Sequence, residues 1–482
     1  MSTNGTQGSA SPLKLNLKRT FLIGFAFFGI LLLWQVYDTW CPTFLSELFM
    51  KAFGTTNAED VQYVVGCVMA LDNLAALIML PIFGRLSDKT HTKFGKRMPY
   101  IMVGTLVCAI AFPFIPVLFH FNNLAGVISI MAIVVFFAMM YRNPAVALMP
   151  DMTPKPLRSK ANGIINIMGY IGGFFATLVG MVFVLSEYLG KSYKNGAQVH
   201  PEREGQLWVI MIPFIVASVL MLISALVLFF TVKENKIARE VADDMRRGDQ
   251  ESELVDKVTE DTKVLSKANR NMLLLILAAE FLWFMADNGI ATFMGNYTVY
   301  FLGASTRSNA INTIVGGVGS VVGFALGGII ASKIGRKWTL LSGLFMTVAA
   351  YAFWGVMNFT VLQGAAAGGS FPIVIYIVWF IKGLGMSLVH VNSFPMVVEL
   401  CNSEKIGRYT GYYYASSMAA QTLTPVLLGL LLLNEGFGFD SLPFYGLACS
   451  LGAAVIFLFI KNVQNKKTTI AKGLEAFGQE ED

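Results

Sequence analysis

Twelve long apolar stretches constrain the fold of this 482-residue chain more than any other feature of its sequence. A helix needs about 20 mainly apolar residues to cross the roughly 30 Å hydrocarbon core of a bilayer. Stretches of that length recur from residues 20–45 to residues 441–461. Only 14% of the residues are charged, whereas about a quarter are charged in soluble domains. The sequence therefore predicts an all-α membrane protein with twelve transmembrane helices.

The lysines and arginines predict the orientation of these helices, because positive residues accumulate in cytoplasmic loops. With the N-terminus inside, 29 of the 36 fall in cytoplasmic segments, five fall outside and two lie within helices. We therefore predict a multi-pass protein of a plasma or inner membrane with both termini in the cytoplasm. The net charge of +6 follows from this topology, so we expect no nucleic-acid partner. The polar start "MSTNGTQGSASP" lacks the features of a signal peptide, so we expect the first helix to be retained.

The chain is divided by its longest charged stretch, residues 233–270, which separates six predicted helices from another six. Trp34 and Asp38 in the first helix reappear 249 residues later as Trp283 and Asp287 in the seventh. Further correspondences at nearly constant offset are Gly84 with Gly328, Asn143 with Asn392 and Arg158 with Arg408. A duplicated six-helix unit accounts for them. We predict two pseudo-symmetric bundles, an N-terminal one at 1–232 and a C-terminal one at 271–482, joined by a cytoplasmic linker at 233–270.

Seven ionisable side chains lie well inside predicted spans, where each is costly and is by default a functional candidate. They are Asp38, Asp72, Arg142, Glu280, Asp287, Lys382 and His390. We expect Asp38 to pair with Arg142, and Glu280 or Asp287 to pair with Lys382, with His390 nearby, because pairing makes an intramembrane charge tolerable. Four acids against two bases leave excess negative charge, which a proton or another bound cation would neutralise.

Aromatic and amide side chains near these charges are candidate substrate ligands. An aromatic ring beside an acid can stack on the CH groups of a sugar while the acid accepts hydrogen bonds from its hydroxyls. The candidates are Trp34, Trp283, Asn392 and Gln421. The two tryptophans are equally compatible with packing or with an interfacial aromatic belt.

The segment "GRLSDKTHTKFGKR", residues 84–97, resembles the signature loop of the major facilitator superfamily. Its extra residues "HTKF" and the later run "NPAVALMPD" are similar to the glycoside-pentoside-hexuronide cation symporters, especially their sucrose-transporter-like branch. The resemblance covers nearly the whole chain and implies the major facilitator fold. It implies that the first, fourth, seventh and tenth helices line a central cavity, and these carry six of the seven intramembrane charges.

The resemblance also implies a cytoplasmic gate, in which an aspartate meets a helix N-terminus and basic neighbours to close the inner side. The matching residues are Gly84, Asp88, Lys89, Gly95, Lys96 and Arg97. We expect Asp151 with Arg158, and Glu399 with Arg408, to form latches at equivalent cytoplasmic ends.

These observations together predict a monomeric secondary transporter rather than an enzyme. Nucleotide-binding loops, metal-ligand clusters and nucleophile–base pairs are not recognisable in the sequence, so we expect no cofactor and no metal. The predicted activity is symport of a glycoside or small oligosaccharide, sucrose-like or maltose-like, with a proton by alternating access. The partners would be the sugar, the proton and the lipid bilayer. Sodium-coupled sugar symport and export of drugs or metabolites remain the alternatives.

Overall fold

The computed structural model describes residues 13–194, 196–250, 267–362, 370–398, 400, 406–434 and 436–460. Twelve helices within this part of the chain are long and apolar enough to cross a membrane. The predicted fold class is therefore confirmed. We number these helices α1 to α12 in chain order.

Six spans form the N-terminal half: α1 Leu17–Phe53, α2 Gln62–Lys89, α3 Met98–Ala111 with its continuation Phe114–His120, α4 Leu124–Leu148, α5 Arg158–Val182 and α6 Leu207–Thr231. Six more form the C-terminal half: α7 Lys267–Asn296, α8 Thr306–Ile334, α9 Arg336–Met357, α10 Ile373–Val398, α11 Ile406–Leu433 and α12 Leu442–Leu458. Two π-helical turns, Tyr297–Phe301 and Asn358–Leu362, extend α7 and α9.

The described parts of the connections contain short elements. They are the helical turns Ala58–Val61, Pro150–Met152, Lys155–Leu157, Leu185–Tyr188, Pro201–Arg203 and Phe439–Ser441, the linker helix Glu234–Glu240 and the helical residues 242–250. Strand β1, Tyr193–Lys194, pairs antiparallel with β2, Ala197–Gln198, in the register Tyr193 to Gln198. Polar caps mark several helix ends: the Asn16 side chain accepts from the Arg19 amide at 3.0 Å, and the Asn123 side chain accepts from the Gly126 amide at 2.8 Å. Such caps satisfy amides that have no partner within the helix.

The two halves repeat one packing pattern. In the N-terminal half α1 packs on α5 and α6, α3 packs on α4 and α6, and α2 packs on α4. The corresponding C-terminal pairs are α7 with α11 and α12, α9 with α10 and α12, and α8 with α10. Contacts between the halves join α1 to α7, α2 to α11 and α5 to α8, which is the pattern expected for two bundles related by pseudo-symmetry.

Candidate functional site

A polar cavity of about 320 Å³ lies between α1 of the first half and α7, α8 and α10 of the second. Ligand sites typically enclose about 300–1,000 Å³, so the cavity can hold a small molecule. Its polar lining comprises Gln35, Asp38, Thr39, Thr43, Asp287, Thr292, Asn309, Thr313, Ser320 and Lys382. Each half therefore contributes one carboxylate to the same cavity.

The carboxylate of the second half is held by a base. Lys382 on α10 donates from Nζ to Oδ1 of Asp287 on α7. The Lys382 side chain is 19% exposed and that of Asp287 is 36% exposed, so water reaches both. The structure thus brings together two of the residues predicted to pair, at a place where a ligand or a proton can compete for the carboxylate.

Asp38 is arranged differently, and here the expected contact with Arg142 is not formed. Arg142 is close enough to attract Asp38 electrostatically, but the described residues contain no ion pair within 4.0 Å that includes either side chain. Asp38 is exposed in the cavity, so water can solvate its charge without a basic partner. The two halves therefore present one unpaired carboxylate and one paired carboxylate.

Asp72 on α2 lies outside the cavity lining. It is partly buried and close enough to interact electrostatically with Asp38 and with Tyr37. The Tyr37 ring is fully buried, and its hydroxyl has no hydrogen-bond partner among the described residues. Asp72 and the Tyr37 hydroxyl therefore lie close to one another beside the cavity wall.

Glu280 and Trp283 are buried in the interior of the C-terminal bundle instead of lining the cavity, which corrects two expectations. Both are 0% exposed, and Trp283 packs against Phe457 of α12 with ring centroids 6.4 Å apart. Glu280 does not pair with Lys382, and its two carboxylate oxygens have no hydrogen-bond partner in the described chain. The stripe of α7 that carries Glu280, Trp283 and Asp287 runs from the apolar bundle interior into the cavity, so only Asp287 reaches the polar space.

The other predicted ligands also lie away from the cavity lining. Trp34 is partly buried and meets Tyr37 edge to face at 5.5 Å. Asn392 is 1% exposed and donates to the Leu388 carbonyl of its own helix at 2.9 Å. The backbone carbonyl of Gln421 accepts from Asn73 of the other half at 3.2 Å. His390 packs against the Phe284 ring at 5.4 Å.

Sequence reasoning missed several residues that do line the cavity. Asn309, Thr313 and Ser320 come from α8, a helix without intramembrane charge. Trp379, three residues before Lys382 on α10, supplies an aromatic ring to the lining. That ring beside a charged residue is the pattern used to select Trp34 and Trp283, so the same signal could have identified Trp379.

One end of the cavity is closed by a buried hydrogen-bond network that joins the halves. Thr43 of α1 donates to Oδ1 of Asn296 on α7 at 2.9 Å. The Asn296 amide donates to Ser46 Oγ at 2.9 Å and to Gln62 Oε1 at 2.8 Å. All four side chains are at most 1% exposed. A fully satisfied buried network of this kind is rigid, and it separates the cavity from the connections 54–61 and 302–305.

Further contacts at the same end join the connection 183–206 to α8. The buried Glu187 carboxylate binds Arg203 of its own half at 2.7 Å and Arg307 of the other half at 3.5 Å. Ser186 Oγ accepts from the Thr306 amide at 3.1 Å. Nearby, Gly66 of α2 lies directly against the Pro425 carbonyl of α11. The positive-inside rule predicts this closed end to be the outer one.

The predicted gate residues form a compact cluster at the opposite end. Arg97 binds Asp88, and its Nε donates to Asp151 at 2.9 Å, while Lys96 reaches Asp151 at 3.1 Å. Burial alone would lower the pKa of Arg97, but the carboxylates of Asp151 and Asp88 more than offset this and raise it above its usual value. Arg97 therefore stays charged at every physiological pH. Gly84 lies against the Asn143 side chain, and Lys89 is exposed.

An acid from the linker, not Asp88, occupies the helix N-terminus in this cluster. The Glu234 carboxylate accepts from the amides of Lys96 at 2.8 Å, Arg97 at 3.0 Å and Met98 at 3.1 Å, at the start of α3. Negative charge at a helix N-terminus is stabilising. Gly95 makes room for the carboxylate. Its backbone φ is 118°, a conformation that residues with a side chain rarely adopt.

The latch expected between Asp151 and Arg158 is not formed. Asp151 forms ion pairs with Arg97 and Lys96. Arg158 instead donates to the carbonyls of Thr153 at 3.1 Å and Pro150 at 3.0 Å. Arg158 thus satisfies backbone groups in its own connection. Arg408 is exposed at the start of α11, and Glu399 lies outside the described residues.

Two helical bundles around a polar cavity that is closed at one end are an arrangement found in membrane transporters. The chain belongs to the Major Facilitator Superfamily, whose family model matches residues 3–177, 43–368 and 310–478. It is therefore a multi-pass membrane transporter and not an enzyme.

Individual relatives are distant. The chain is 20% identical over 333 residues to the lactose permease of Lactobacillus helveticus. That match includes 68% of this chain but only 48% of the permease, so the chain spans about half the length of this curated relative. Among solved structures, the xylose transporter XylE from E. coli in a partially occluded inward-open conformation is 14% identical, with a TM-score of 0.62 over 94% of this chain and 100% of XylE. The nucleoside transporter NupG is 13% identical, with a TM-score of 0.58 over 92% and 100%. These two similarities establish the fold.

Proposed function

We propose that this transporter carries a glycoside or small oligosaccharide, sucrose-like or maltose-like, together with a proton. The sugar assignment is supported by the distant similarity to a lactose permease and by the resemblance of its loops to the sucrose-transporter-like branch of the glycoside-pentoside-hexuronide symporters. The bundles 1–232 and 271–482 would rock about the cavity as units, tethered by 233–270, in a cell membrane with both termini cytoplasmic.

The observation that carries this proposal is the pair of unlike carboxylates in one cavity. Among the described residues Asp38 has no basic partner within 4.0 Å, whereas Asp287 is held by Lys382. A sugar hydroxyl that donates to either acid would bridge the two halves, since Asp38 belongs to α1 and Asp287 to α7. Protonation of one acid would remove its charge and change which partners it can hold.

In this scheme the described conformation is the inward-facing state, because the described contacts of the gate cluster stay within the N-terminal half and its linker and do not reach the C-terminal half. Its predicted outer end is closed by the Asn296 network and the Glu187 contacts. The unpaired Asp38 is then accessible to water, so a proton carried inward could leave from it. The Asp287–Lys382 pair keeps the empty cavity close to electrically neutral on the C-terminal side, which lowers the cost of its burial.

Uptake by proteoliposomes tests the proposal. We expect an imposed inward proton gradient to drive accumulation of a labelled disaccharide, and a protonophore to abolish it. Asp38→Asn and Asp287→Asn should each abolish accumulation, while at least one of them still exchanges sugar across equal gradients. Asp60→Asn, an exposed acid in the first connection, is the matched control and should accumulate sugar normally.

The alternatives give different results in the same vesicles. Full dependence of sugar uptake on sodium would show that sodium, and not a proton, is the coupling ion. Gradient-driven extrusion of drugs or metabolites without sugar uptake would indicate an exporter. Normal accumulation by both cavity variants would contradict the role of the two acids. A panel of sugars tested for thermal stabilisation of the purified protein would identify the substrate, because a ligand of the native state raises its apparent stability.

A further inference from the structure

An apolar groove of about 710 Å³ on the C-terminal half is separate from the central cavity. Its walls come from the cytoplasmic-side halves of α7, α11 and α12, and they comprise Leu274, Leu277, Ala278, Phe281, Leu282, Tyr412, Ala415, Ser416 and Ile456. Leu274 is 58% exposed and Tyr412 is 48% exposed. The groove is therefore open at a depth where the surrounding medium is lipid.

Two of the helices that line the groove, α7 and α11, each carry an arginine one helical turn before their first groove residue. On α7, Arg270 precedes Leu274 and Ala278 at intervals of four residues, and all three are exposed. On α11, Arg408 precedes the exposed Tyr412 by four residues in the same way. Residues four apart share a helix face, so both guanidinium groups extend stripes that line the groove. One turn is about 5.4 Å along the axis, which places both charges at the cytoplasmic mouth of the groove.

Neither arginine is engaged by any described residue of the protein. Within the part of the chain that the structure describes, neither Arg270 nor Arg408 has an ion-pair or hydrogen-bond partner. By contrast, Arg97 and Arg158 at the same side of the N-terminal half are bound by carboxylates or carbonyls. Two unpaired guanidinium groups above an apolar groove match the chemistry of a molecule with an anionic head and an apolar tail.

We propose that this groove binds an anionic glycerophospholipid of the cytoplasmic leaflet. Its phosphate would be held between Arg270 and Arg408, and one acyl chain would lie along Leu274, Phe281 and Tyr412. Arginine suits this task because its planar guanidinium donates two parallel hydrogen bonds to phosphate oxygens. A zwitterionic lipid could fill the groove equally well but would gain less from the arginines, so the site should select for headgroup charge.

The site can be measured by titrating the purified protein with lipid and resolving bound states by native mass spectrometry. The two probes are dioleoyl phosphatidylglycerol, which is anionic, and dioleoyl phosphatidylcholine, which is zwitterionic with identical chains. A basic residue near a membrane surface contributes about five-fold in affinity for anionic lipid, so two should favour phosphatidylglycerol by about 25-fold. We expect Arg270→Gln/Arg408→Gln to abolish this preference.

Two further variants separate the groove from general surface charge. Lys18→Gln/Lys333→Gln removes the same charge from exposed positions on the same side, at α1 and α8, and should keep the preference. Ala278→Trp/Ala415→Trp fills the apolar groove and should weaken binding of both lipids. The proposal fails if the arginine variant still prefers phosphatidylglycerol, if the lysine variant loses the preference equally, or if filling the groove leaves both affinities unchanged. Thermal unfolding of each variant shows that the protein tested is folded.

Discussion

A methyl group added at Gly66 should stop the outer ends of the two bundles from closing. A Cβ atom on Gly66 would meet the carbonyl oxygen of Pro425 in α11, and it would lie 2.7 Å from the carbonyl carbon. The reciprocal contact is also too close for a side chain, since a Cβ on Gly429 would lie 2.7 Å from the Gln62 carbonyl oxygen. Ordinary van der Waals contact begins at 3.4 Å. The obstacles are backbone atoms of packed helices, so neither can turn aside as a flexible side chain would.

The size of the effect follows from this overlap. Overpacking a well-packed contact costs about 1–3 kcal/mol, and here the cost applies only to the conformation in which α2 and α11 meet. Gly66→Ala should therefore shift the equilibrium away from the closed outer end by about 5- to 150-fold. The transporter would be displaced toward its outward-open state, and net uptake should fall because the step that closes the outer end becomes unfavourable.

Cysteine accessibility can measure this shift. Ala291→Cys places a reporter thiol in the cavity, in a background without the native cysteines. A membrane-impermeant thiol reagent is then added on the side of the connections 54–61 and 302–305. We expect Gly66→Ala to accelerate labelling by the factor given above. Gly411→Ala is the matched control, because it also adds a methyl to a helical glycine of α11, where a Cβ would meet nothing within 4 Å. Equal labelling rates for the two variants would refute the reasoning.

Three further changes test other parts of the structure. Lys382→Gln leaves Asp287 without its base and should lower thermal stability more than Asp287→Asn/Lys382→Gln, because an unpaired intramembrane charge costs more than a neutral pair; equal melting temperatures would contradict this. Glu234→Gln removes the charge that caps α3 and should lower the free energy of unfolding by about 1.5–3 kcal/mol in a denaturation assay. The control Asn235→Ala loses two exposed neutral hydrogen bonds and should lower the free energy of unfolding by less. Arg307→Gln breaks the link from Glu187 to the other half and should accelerate labelling of the cavity thiol from the outer side, while Arg203→Gln, whose link lies within one half, should not.

The architecture was predictable because its signals extend over the whole chain. Each span must satisfy its backbone hydrogen bonds inside the bilayer, so helix number follows from hydropathy. The repeat at an offset of 249 residues and the central charged stretch predict two bundles. The contacts between helices follow the same division. These features depend on many residues at once, so a single unusual position cannot hide them.

Individual site residues were harder to predict, since they depend on how each helix is rotated. Asp287 and Trp283 lie on one face of α7, yet only Asp287 reaches the cavity. The part of that face nearer the N-terminus of α7, which includes Trp283, is enclosed by the apolar bundle interior. Asn309 and Ser320 of α8 were missed because small neutral side chains give no charge signal. The repeat predicts a latch between Asp151 and Arg158, but Arg97 competes for Asp151 from another connection. Glu234 was one acid among many in a charged segment, where no spacing distinguishes it.

The capping of α3 by Glu234 has a consequence for how the protein is synthesised. The carboxylate that completes the first cytoplasmic gate loop belongs to a residue that follows all six helices of its bundle. During translation this loop must therefore wait for the ribosome to pass residue 234 before it can adopt its final structure. For the same reason, a split transporter made from two co-expressed fragments should keep its halves intact only if the cut is placed after the linker helix Glu234–Glu240. A cut after residue 232 would leave the first fragment with an uncapped α3 helix, because the amides of Lys96, Arg97 and Met98 would lose the Glu234 carboxylate.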